Sequence, residues 1–368
     1  MRVLGVTVRD FRGYEEASAA IGDGVTIVSG PNGCGKTNLL EAVYVGCTGR
    51  SCRTNNDREL VRFGAPAARV ILAIDADDGP HELSVGLAAT EPKRIRIDGV
   101  TVDGLLEMPD RPLVSVFLPD RLELIKGAPA RRRAHLDQFV AALWPARSST
   151  RRAYAGALVQ RNALLGRIRA GQASRHSLAS WDAQLARHGI ELMEDRRRAI
   201  ATVSEVFCRI CGALALDGRP ALAYRPRSHA SEPAQLAAEL AERVEGDLER
   251  GFTAHGPHRD ELLSLREGRD LRIYGSQGQQ RLALLALLLA EREAITACRS
   301  AAPLMLLDDV MSELDRERRR ALVDLLRDGD GQSVITTTDL EHVPGARDRG
   351  ISRLVVSHGR LLGEAVAA

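Results

Sequence analysis

Eight consecutive residues, 30–37, have the types and spacing that can hold the phosphates of a nucleoside triphosphate. Their sequence, GPNGCGKT, fits the pattern G-x-x-x-x-G-K-[ST], in which glycines let backbone N–H groups turn towards phosphate oxygens. We expect Lys36 to reach the β and γ phosphates as a catalytic group, and the Thr37 hydroxyl to be a ligand of Mg²⁺. The predicted nucleotide contacts are Gly30, Pro31, Asn32, Gly33, Cys34, Gly35, Lys36, Thr37 and Asn38.

The segments on either side of this loop are the ones that phosphate binding requires. Residues 25–28, VTIV, are typical of a buried strand, and residues 38–44 have helical spacing. A strand, a glycine loop and a helix in this order aim the helix N-terminus, with the positive end of its dipole, at the phosphates. This context turns a pattern match into a predicted binding site.

Two adjacent carboxylates, Asp308 and Asp309, follow a short apolar run at residues 304–307. A strand buried in a parallel sheet carries such residues to the carboxyl edge of the sheet, where nucleotides bind. There Asp308 can hold Mg²⁺ directly or through water. Asp309 can orient or deprotonate the attacking water, and we predict that it is the catalytic base.

The rest of the chain indicates an α/β protein of two or so domains, with 368 residues, of which 44% are apolar and 27% charged. Strand-like segments alternate with turns up to about residue 103, helices dominate 131–250, and strand character returns from 262. We predict an α/β head built from residues 1–128 and 252–368, with a helical, arginine-rich domain at 129–251. The apolar run 282–290 is too short to cross a bilayer and residues 1–6 lack a signal-peptide core, so we expect a cytoplasmic protein.

The net charge is only +2, but the arginines are unevenly placed. Residues 129–200 contain 14 arginines and five acidic residues. Two interpretations fit this asymmetry, a solvated helical face and a surface for the phosphate backbone of nucleic acid. Because only 4% of residues are aromatic, contact with a duplex backbone is favoured over base stacking. The candidates for DNA contact are Arg131, Arg132, Arg133, Arg151 and Arg152.

A third motif precedes the strand that carries the two aspartates. Residues 276–281, SQGQQR, open a long apolar helix and resemble the signature motif of the ABC ATPases, while residues 312–315, SELD, resemble their D-loop. The resemblance implies that Ser276, Gly278 and Gln279 contact ATP held by a second subunit, so that two heads enclose two ATP molecules. A serine at a helix N-terminus suits such an anion, and the alternative is a polar turn that only caps the helix.

Further segments narrow the resemblance. They are residues 10–14 (DFRGY), 116–127 (VFLPDRLELIKG), 131–133 (RRR), 136–137 (LD), 160–162 (QRN), 181–182 (WD) and 256–260 (GPHRD). In this order the chain resembles the RecF family of bacterial recombination mediators, in the SMC-like branch of the ABC ATPases. The resemblance implies an ABC-type ATPase head with an inserted helical second domain, and it adds Arg12 to the predicted nucleotide contacts.

The same resemblance implies a function. It predicts an ATP-dependent homodimer on DNA that is released on hydrolysis and cooperates with RecR and RecO in placing RecA at single-strand gaps. The resemblance implies a DNA-dependent ATPase. We expect its hydrolysis to be slow, because Asp309 is one methylene shorter than the glutamate usual in ABC transporters. Two features depart from the wider ABC pattern. Residues 336–339 lack the usual switch histidine, and no Q-loop glutamine is evident near Pro119 and Asp120.

Three alternatives compete with this interpretation. A dimerising ABC-type switch that acts on a protein partner would share the same motifs. The nucleotide-binding subunit of a transporter should be shorter, and should lack residues 10–14 and the arginine-rich insertion. An SMC-like ATPase with an added nuclease would need a further acidic domain, and about 30 residues follow Thr338.

Overall fold

The computed structural model describes residues 1–88, 90–105, 111–118 and 122–363. The chain divides into two compact units. The first comprises Met1–Arg121, Ala213–Ala215 and Ile295–Ala368, and the second comprises Leu122–Gly212 and Leu216–Ala294. Within the described ranges, no helix combines the length and the apolar character needed to cross a bilayer.

The first unit contains a six-stranded antiparallel sheet in the order β2-β1-β4-β5-β6-β7. Its strands are β1 (Arg2–Phe11), β2 (Tyr14–Ala20), β4 (Ala67–Ala76), β5 (Gly79–Ala88), β6 (Arg94–Ile97) and β7 (Val100–Val102). Burial alternates along β1 and β4, as the period of two in a strand requires. One face of this sheet therefore lies in the core and the other faces solvent.

A second six-stranded sheet in the same unit has the order β15-β14-β3-β13-β12-β8. Its strands are β3 (Val25–Ser29), β8 (Val114–Phe117), β12 (Leu304–Leu307), β13 (Ser333–Thr337), β14 (Ser352–Ser357) and β15 (Arg360–Gly363). All neighbours pair in parallel except β14 and β15. Every residue of β3, β12 and β13 is buried, as is usual in a parallel sheet, and β12 is apolar throughout. The carboxyl ends of these three strands meet at one edge.

One helix of the first unit begins within the predicted site, and another follows the D-loop-like residues. Helix α1 (Lys36–Thr48) follows β3 and ends at Gly49, which adopts a left-handed φ of 68° and donates its N–H to Val45 O. Its buried leucines share one hydrophobic core with inward residues of both sheets. Helix α10 (Arg316–Asp328) begins after Asp315, whose side chain accepts a hydrogen bond from Arg318 N.

The second unit is mainly helical. Its helices are α2 (Glu123–Lys126), α3 (Pro129–Leu143), α4 (Ser148–Arg169), α5 (Leu178–Ala213), α6 (Pro233–Glu242), α7 (Val244–Arg250), α8 (Leu271–Tyr274) and α9 (Gln277–Arg299), the last residues of α5 and α9 being assigned to the first unit. It also contains a three-stranded sheet in the order β11-β10-β9. These strands are β9 (Pro220–Arg225), β10 (Glu261–Arg266) and β11 (Arg269–Asp270). Strand β9 was not predicted from the sequence.

The compact units differ from the predicted domain boundary at residue 251. Strand β10 pairs along its whole length with β9 and packs against α3, so residues 261–266 belong to the second unit. The signature-like residues 276–281 also lie in that unit, whereas the sequence analysis assigned them to the head. The division into a head and a helical insertion stays a prediction.

Candidate nucleotide-binding site

The loop between β3 and α1 has a backbone that only glycine can adopt at two positions. Gly30 has a φ of 153°, and a Cβ atom there would lie 2.2 Å from Val356 O. Gly35 has a φ of 117°, and its Cβ would lie 2.9 Å from the Tyr14 hydroxyl, which donates a hydrogen bond to Gly35 O. The conformation of the loop is therefore fixed by its neighbours as well as by its own sequence.

Lys36 lies inside this loop and is 7% exposed. Its ammonium donates hydrogen bonds to Gly30 O at 2.7 Å and to Pro31 O at 3.0 Å. No carboxylate within the described residues forms an ion pair with it. A buried cation that is balanced only by carbonyl dipoles favours an anion beside it, and the phosphates of a nucleotide supply one.

Thr37 and Asp308 meet where α1 and β12 approach each other. The Thr37 hydroxyl lies 3.0 and 2.9 Å from the two carboxylate oxygens of Asp308, and the Thr336 hydroxyl donates to the same carboxylate at 2.7 Å. Burial raises the pKa of Asp308, while these hydroxyl hydrogen bonds act in the opposite direction. A hydroxyl and a carboxylate oxygen side by side form a hard donor set that fits Mg²⁺.

Asp309 has the strained backbone that often marks a functional residue. Its φ of 45° is left-handed, which is uncommon for any residue except glycine. Its backbone N–H donates to Thr336 Oγ1 at 2.9 Å, and its Oδ2 accepts from Ser312 Oγ at 2.9 Å. Its other carboxylate oxygen, Oδ1, is buried and has no hydrogen-bond partner in the described structure. That oxygen is available to accept a proton from water.

Arg12, the further predicted nucleotide contact, is held by an internal pair. Its Nε and Nη2 atoms donate to the two oxygens of buried Glu41 at 2.9 and 2.8 Å, and its Nη1 donates to Glu59 O at 2.7 Å. Glu41 also accepts from Arg53, whose Nη1 lies 3.2 Å from Asn38 Oδ1. Arg12 thus borders the loop through α1, and its contact with nucleotide stays a prediction.

The remaining loop residues differ in exposure. Pro31, Asn32 and Gly33 are exposed at the tip of the loop. Cys34 is buried, and its carbonyl oxygen accepts a hydrogen bond from Gly359 N at 3.2 Å. The tip therefore presents its backbone to solvent, while Cys34 anchors the loop to the turn after β14.

Ser276 lies at the N-terminus of α9, in the second unit. Its hydroxyl accepts a hydrogen bond from Gln279 N at 3.3 Å, and Gln279 Oε1 accepts one from Ser276 N at 2.9 Å. This reciprocal pair is a capping box that leaves the hydroxyl proton of Ser276 available. Ser276, Gln277 and Gly278 are exposed, so the predicted phosphate-binding end of the helix is open to solvent.

The five arginines predicted to contact DNA do not share one environment. Arg132 is 3% exposed and donates to Glu261 and to Gly127 O, which contradicts a role in binding phosphate. Arg133 is half-buried and donates to Asp260 O at 2.9 Å. Arg131 forms an ion pair with Glu123, and Arg151 lies 3.4 Å from Asp137. Arg131, Arg151 and Arg152 are exposed.

Sequence reasoning missed three residues around the loop, namely Tyr14, Arg53 and Thr336. Thr336 could have been found, because β13 runs parallel to β12 with Ile335 beside Leu307, which brings Thr336 next to Asp308. No local signal marks Arg53, whereas Tyr14 ends the segment 10–14 that carries part of the resemblance. Pro119 and Asp120, where a Q-loop was sought, lie outside the described residues.

The comparisons with known proteins agree with this geometry. The chain matches the family described as RecF/RecN/SMC N terminal domain over residues 2–356. It is 34% identical over 341 residues to the DNA replication and repair protein RecF of Lachnoclostridium phytofermentans, which spans 93% of this chain and 94% of that relative. It is 38% identical over 350 residues to the RecF of Anaeromyxobacter sp. strain Fw109-5, with 92% and 93% covered.

A solved structure of the recombination mediator protein RecF with ATP, from the RecFOR pathway, is also similar. It has a TM-score of 0.85 and 27% identity, and the match covers 99% of this chain and 98% of that one. The predicted fold, an SMC-like ABC ATPase head of the α/β class, is confirmed. With relatives above 30% identity along nearly its whole length, the chain belongs to the RecF family of DNA replication and repair proteins.

Proposed function

We propose that this protein is an ATP-driven DNA-binding switch that acts in DNA replication and repair. The observation that carries the proposal is the site at the carboxyl edge of the parallel sheet. There a buried Lys36, which has no carboxylate partner among the described residues, and the Thr37–Asp308 pair provide the charges that a nucleotide with Mg²⁺ requires. The relative described as a RecF–ATP structure supports ATP as the nucleotide.

Each residue has a defined part in the proposed reaction. Lys36 binds the β and γ phosphates, and Thr37 and Asp308 hold Mg²⁺, which neutralises phosphate charge when it is bound. Asp309 Oδ1 accepts the proton of a water whose oxygen attacks the γ phosphorus, and the bond to the β-phosphate oxygen breaks to give ADP and phosphate. The hydrogen bond from Ser312 and the strained backbone of Asp309 restrict the movement of its carboxylate towards the water, so we expect slow turnover.

The signature-like end of α9 supports dimerisation. Ser276 and Gly278 are exposed at the N-terminus of α9, a helix of 23 residues. Within this chain the Ser276 hydroxyl only caps that helix. We propose that ATP bound to one subunit is completed by this end of α9 in a second copy. The dimer would form with ATP and separate after hydrolysis.

DNA is the proposed ligand of the dimer. The support is the family of DNA replication and repair proteins together with the exposed arginines of the second unit, Arg131, Arg151 and Arg152. We further propose, from the family, that it works with RecR and RecO to place RecA at single-strand gaps. Its expected location is the cytoplasm, where bacterial DNA is replicated.

Sedimentation velocity in ATP and in ADP tests the dimer directly. In an Asp309→Asn background, which should bind ATP and hydrolyse it poorly, we expect dimers with ATP and monomers with ADP. Adding Ser276→Arg should abolish the dimers while ATP binding by the monomer is unchanged. The matched control is Ser231→Arg, at another exposed serine of the same unit. Dimers that persist in Ser276→Arg would refute the role of the signature-like segment.

Three further measurements separate the remaining claims. Lys36→Ala should abolish ATP binding, and tight binding by that variant would refute the assignment of the loop. Wild-type turnover in Asp309→Asn would point to another base. A protein that dimerises with ATP and yet binds no DNA in either nucleotide state would instead be a switch for a protein partner.

A further inference from the structure

The strand register of the antiparallel sheet brings three arginines into one row. Arg9 of β1 pairs directly with Arg69 of β4, Arg69 pairs with Gly86 of β5, and Gly86 pairs with Arg94 of β6. Residues that pair directly in an antiparallel sheet project from the same face. With strands about 4.8 Å apart, Arg9 and Arg94 are about 14 Å apart across the sheet.

The next row on this face adds hydroxyl groups and a fourth arginine. It runs from Ser18 and Thr7 through Ile71 and Ser84 to Arg96. The opposite face carries the apolar residues of the same strands, which lie in the core with α1. We name Arg9, Arg69, Arg94 and Arg96 the sheet arginines.

The sheet arginines carry little compensating charge. Arg69 and Arg96 form no ion pair or side-chain hydrogen bond within the described residues. Arg9 is paired with Glu16 and Arg94 with Glu91, but both arginines are about two-thirds exposed, at 68% and 66%, so these pairs are weak. Like charges that face each other across strands, as Arg9 and Arg69 do, destabilise a sheet. The repulsion between these arginines lowers the stability of the fold, and no contact within the described structure offsets it.

Charge on this face is separated along the strands. The sheet arginines lie towards one end of β1, and at the other end Arg2 is neutralised by Asp23 and Asp75. The excess of positive charge on this solvent-facing side of the sheet therefore lies towards one end of the strands.

We propose that the sheet arginines bind the phosphate backbone of duplex DNA. This inference rests on the proposed action on DNA, and it names a surface of the first unit as a contact. Besides Glu16, the two rows offer four guanidinium groups and the hydroxyls of Ser18 and Thr7, whereas Ser84 is buried and neither row holds an aromatic ring, which suits backbone contact and not base stacking. Arginines spread over about 14 Å can reach several phosphates, which are 3.4 Å apart along each strand axis.

The position of the row also connects it to the nucleotide site. Strand β1 continues from Arg9 through Phe11 into Arg12, which holds Glu41 of α1 in a bidentate pair. Tyr14, at the start of β2, donates to Gly35 O of the phosphate-binding loop. The turn between β1 and β2 therefore touches the loop on one side and continues into the arginine row on the other.

The test is binding of a fluorescent blunt duplex to the full chain with ATP, measured over a salt series. The variant Arg69→Gln/Arg96→Gln removes the two arginines that form no ion pair in the described structure. The control Arg2→Gln removes one on β1, on the same face of the sheet, where Asp23 and Asp75 neutralise it. We expect the double variant to bind about tenfold or more weakly, with the salt slope reduced by about 2, and the control to bind like wild type. Wild-type affinity and slope in the double variant would overturn the proposal.

A second measurement uses wild-type protein and does not depend on the folding of a variant. A dicarbonyl reagent modifies accessible arginines, and mass spectrometry gives the rate at each one with and without the duplex. We expect DNA to slow modification of Arg9, Arg69, Arg94 and Arg96 but not of Arg2. If DNA changes the rate at none of the five arginines, the proposed surface is refuted. If wild type binds no duplex at all, the proposed action on DNA is refuted. If it binds duplex but the sheet arginines are not protected and their substitution has no effect, only the sheet surface is refuted.

Discussion

Two regions of this molecule are rich in arginine, and they use it in opposite ways. In the helices of the second unit most arginines have partners inside the unit. Arg161 donates to Asp182, Asp247 and Thr253, and Arg196 donates to Asp137 and Asp260. On the antiparallel sheet of the first unit, Arg69 and Arg96 face outward with no acidic partner in the described structure.

The difference shows that arginine number is a poor measure of a nucleic-acid surface. Residues 129–200 have the larger excess of positive charge, yet their buried arginines are balanced by carboxylates from α3, α5, α7, β10 and the segment before β10. A guanidinium that already forms a bidentate pair with a carboxylate must lose that pair before it can bind a phosphate. To bind a phosphate, Arg9 and Arg94 would have to give up only an exposed ion pair, and Arg69 and Arg96 have no ion pair to break in the described structure.

The largest effect should come from breaking the inward network. Arg161→Met leaves Asp182 and Asp247 buried without a counter-charge, and we expect it to lower the free energy of unfolding by about 3–5 kcal/mol. Chemical denaturation followed by tryptophan fluorescence measures this, because Trp144 and Trp181 both lie in the second unit.

The matched control for that variant is Arg167→Met, on the same helix at an exposed position. We expect it to change stability by less than about 0.5 kcal/mol. Equal effects of the two substitutions would mean that the buried charges of the second unit do not stabilise it more than surface ones.

A second, smaller effect should appear as pH falls. Burial, helped by the nearby positive Arg259 and Arg133, lowers the pKa of His258 to about 4, whereas an unfolded histidine has a pKa near 6.5. Between these values the unfolded chain binds a proton that the folded chain does not, so stability is full above pH 6.5 and is lost as pH decreases. From pH 7.5 to pH 5 this one group should cost about 2 kcal/mol.

The comparison between His258→Gln and wild type isolates this contribution. The imidazole donates from Nε2 to Thr253 O and its Nδ1 accepts from the Tyr154 hydroxyl, so the variant should be less stable at pH 7.5 but lose less stability on acidification. His176→Gln, at an exposed position, should keep the wild-type pH profile. A wild-type profile in His258→Gln as well would show that His258 does not titrate as its burial requires.

A third experiment compares the two regions in one assay. Arg131→Gln/Arg151→Gln removes two exposed arginines that pair with acids, Glu123 and Asp137. Arg69→Gln/Arg96→Gln removes two that form no ion pair in the described structure. We expect the helix variant to weaken duplex binding by less than about threefold and the sheet variant by about tenfold or more, a difference of several tenths to about 1 kcal/mol. The reverse order would restore the helices as the main DNA surface, as the sequence analysis predicted.

The sequence could predict those parts of the site that depend on local pattern. The loop of residues 30–37 and the strand before Asp308 follow from contiguous residues whose types fix the backbone. Pairings between distant residues could not be predicted. Arg132 pairs with Glu261, which lies 129 positions later in the sequence. The arginine row brings together residues 9, 69 and 94 through strand registers that no short motif encodes.

The smallest predicted effect concerns the acidic end of the arginine row. Glu16 lies directly opposite Arg9 in β2, and the two form an exposed ion pair at 3.1 Å. Glu16→Gln should change the free energy of unfolding by less than about 1 kcal/mol, because an exposed pair contributes little. It should nevertheless tighten duplex binding by about twofold to threefold at low salt, because it frees Arg9 and removes a negative charge from the surface. Weaker binding by Glu16→Gln would mean that Glu16 orients Arg9 for phosphate, so that the pair, and not the free guanidinium, is the unit that contacts DNA.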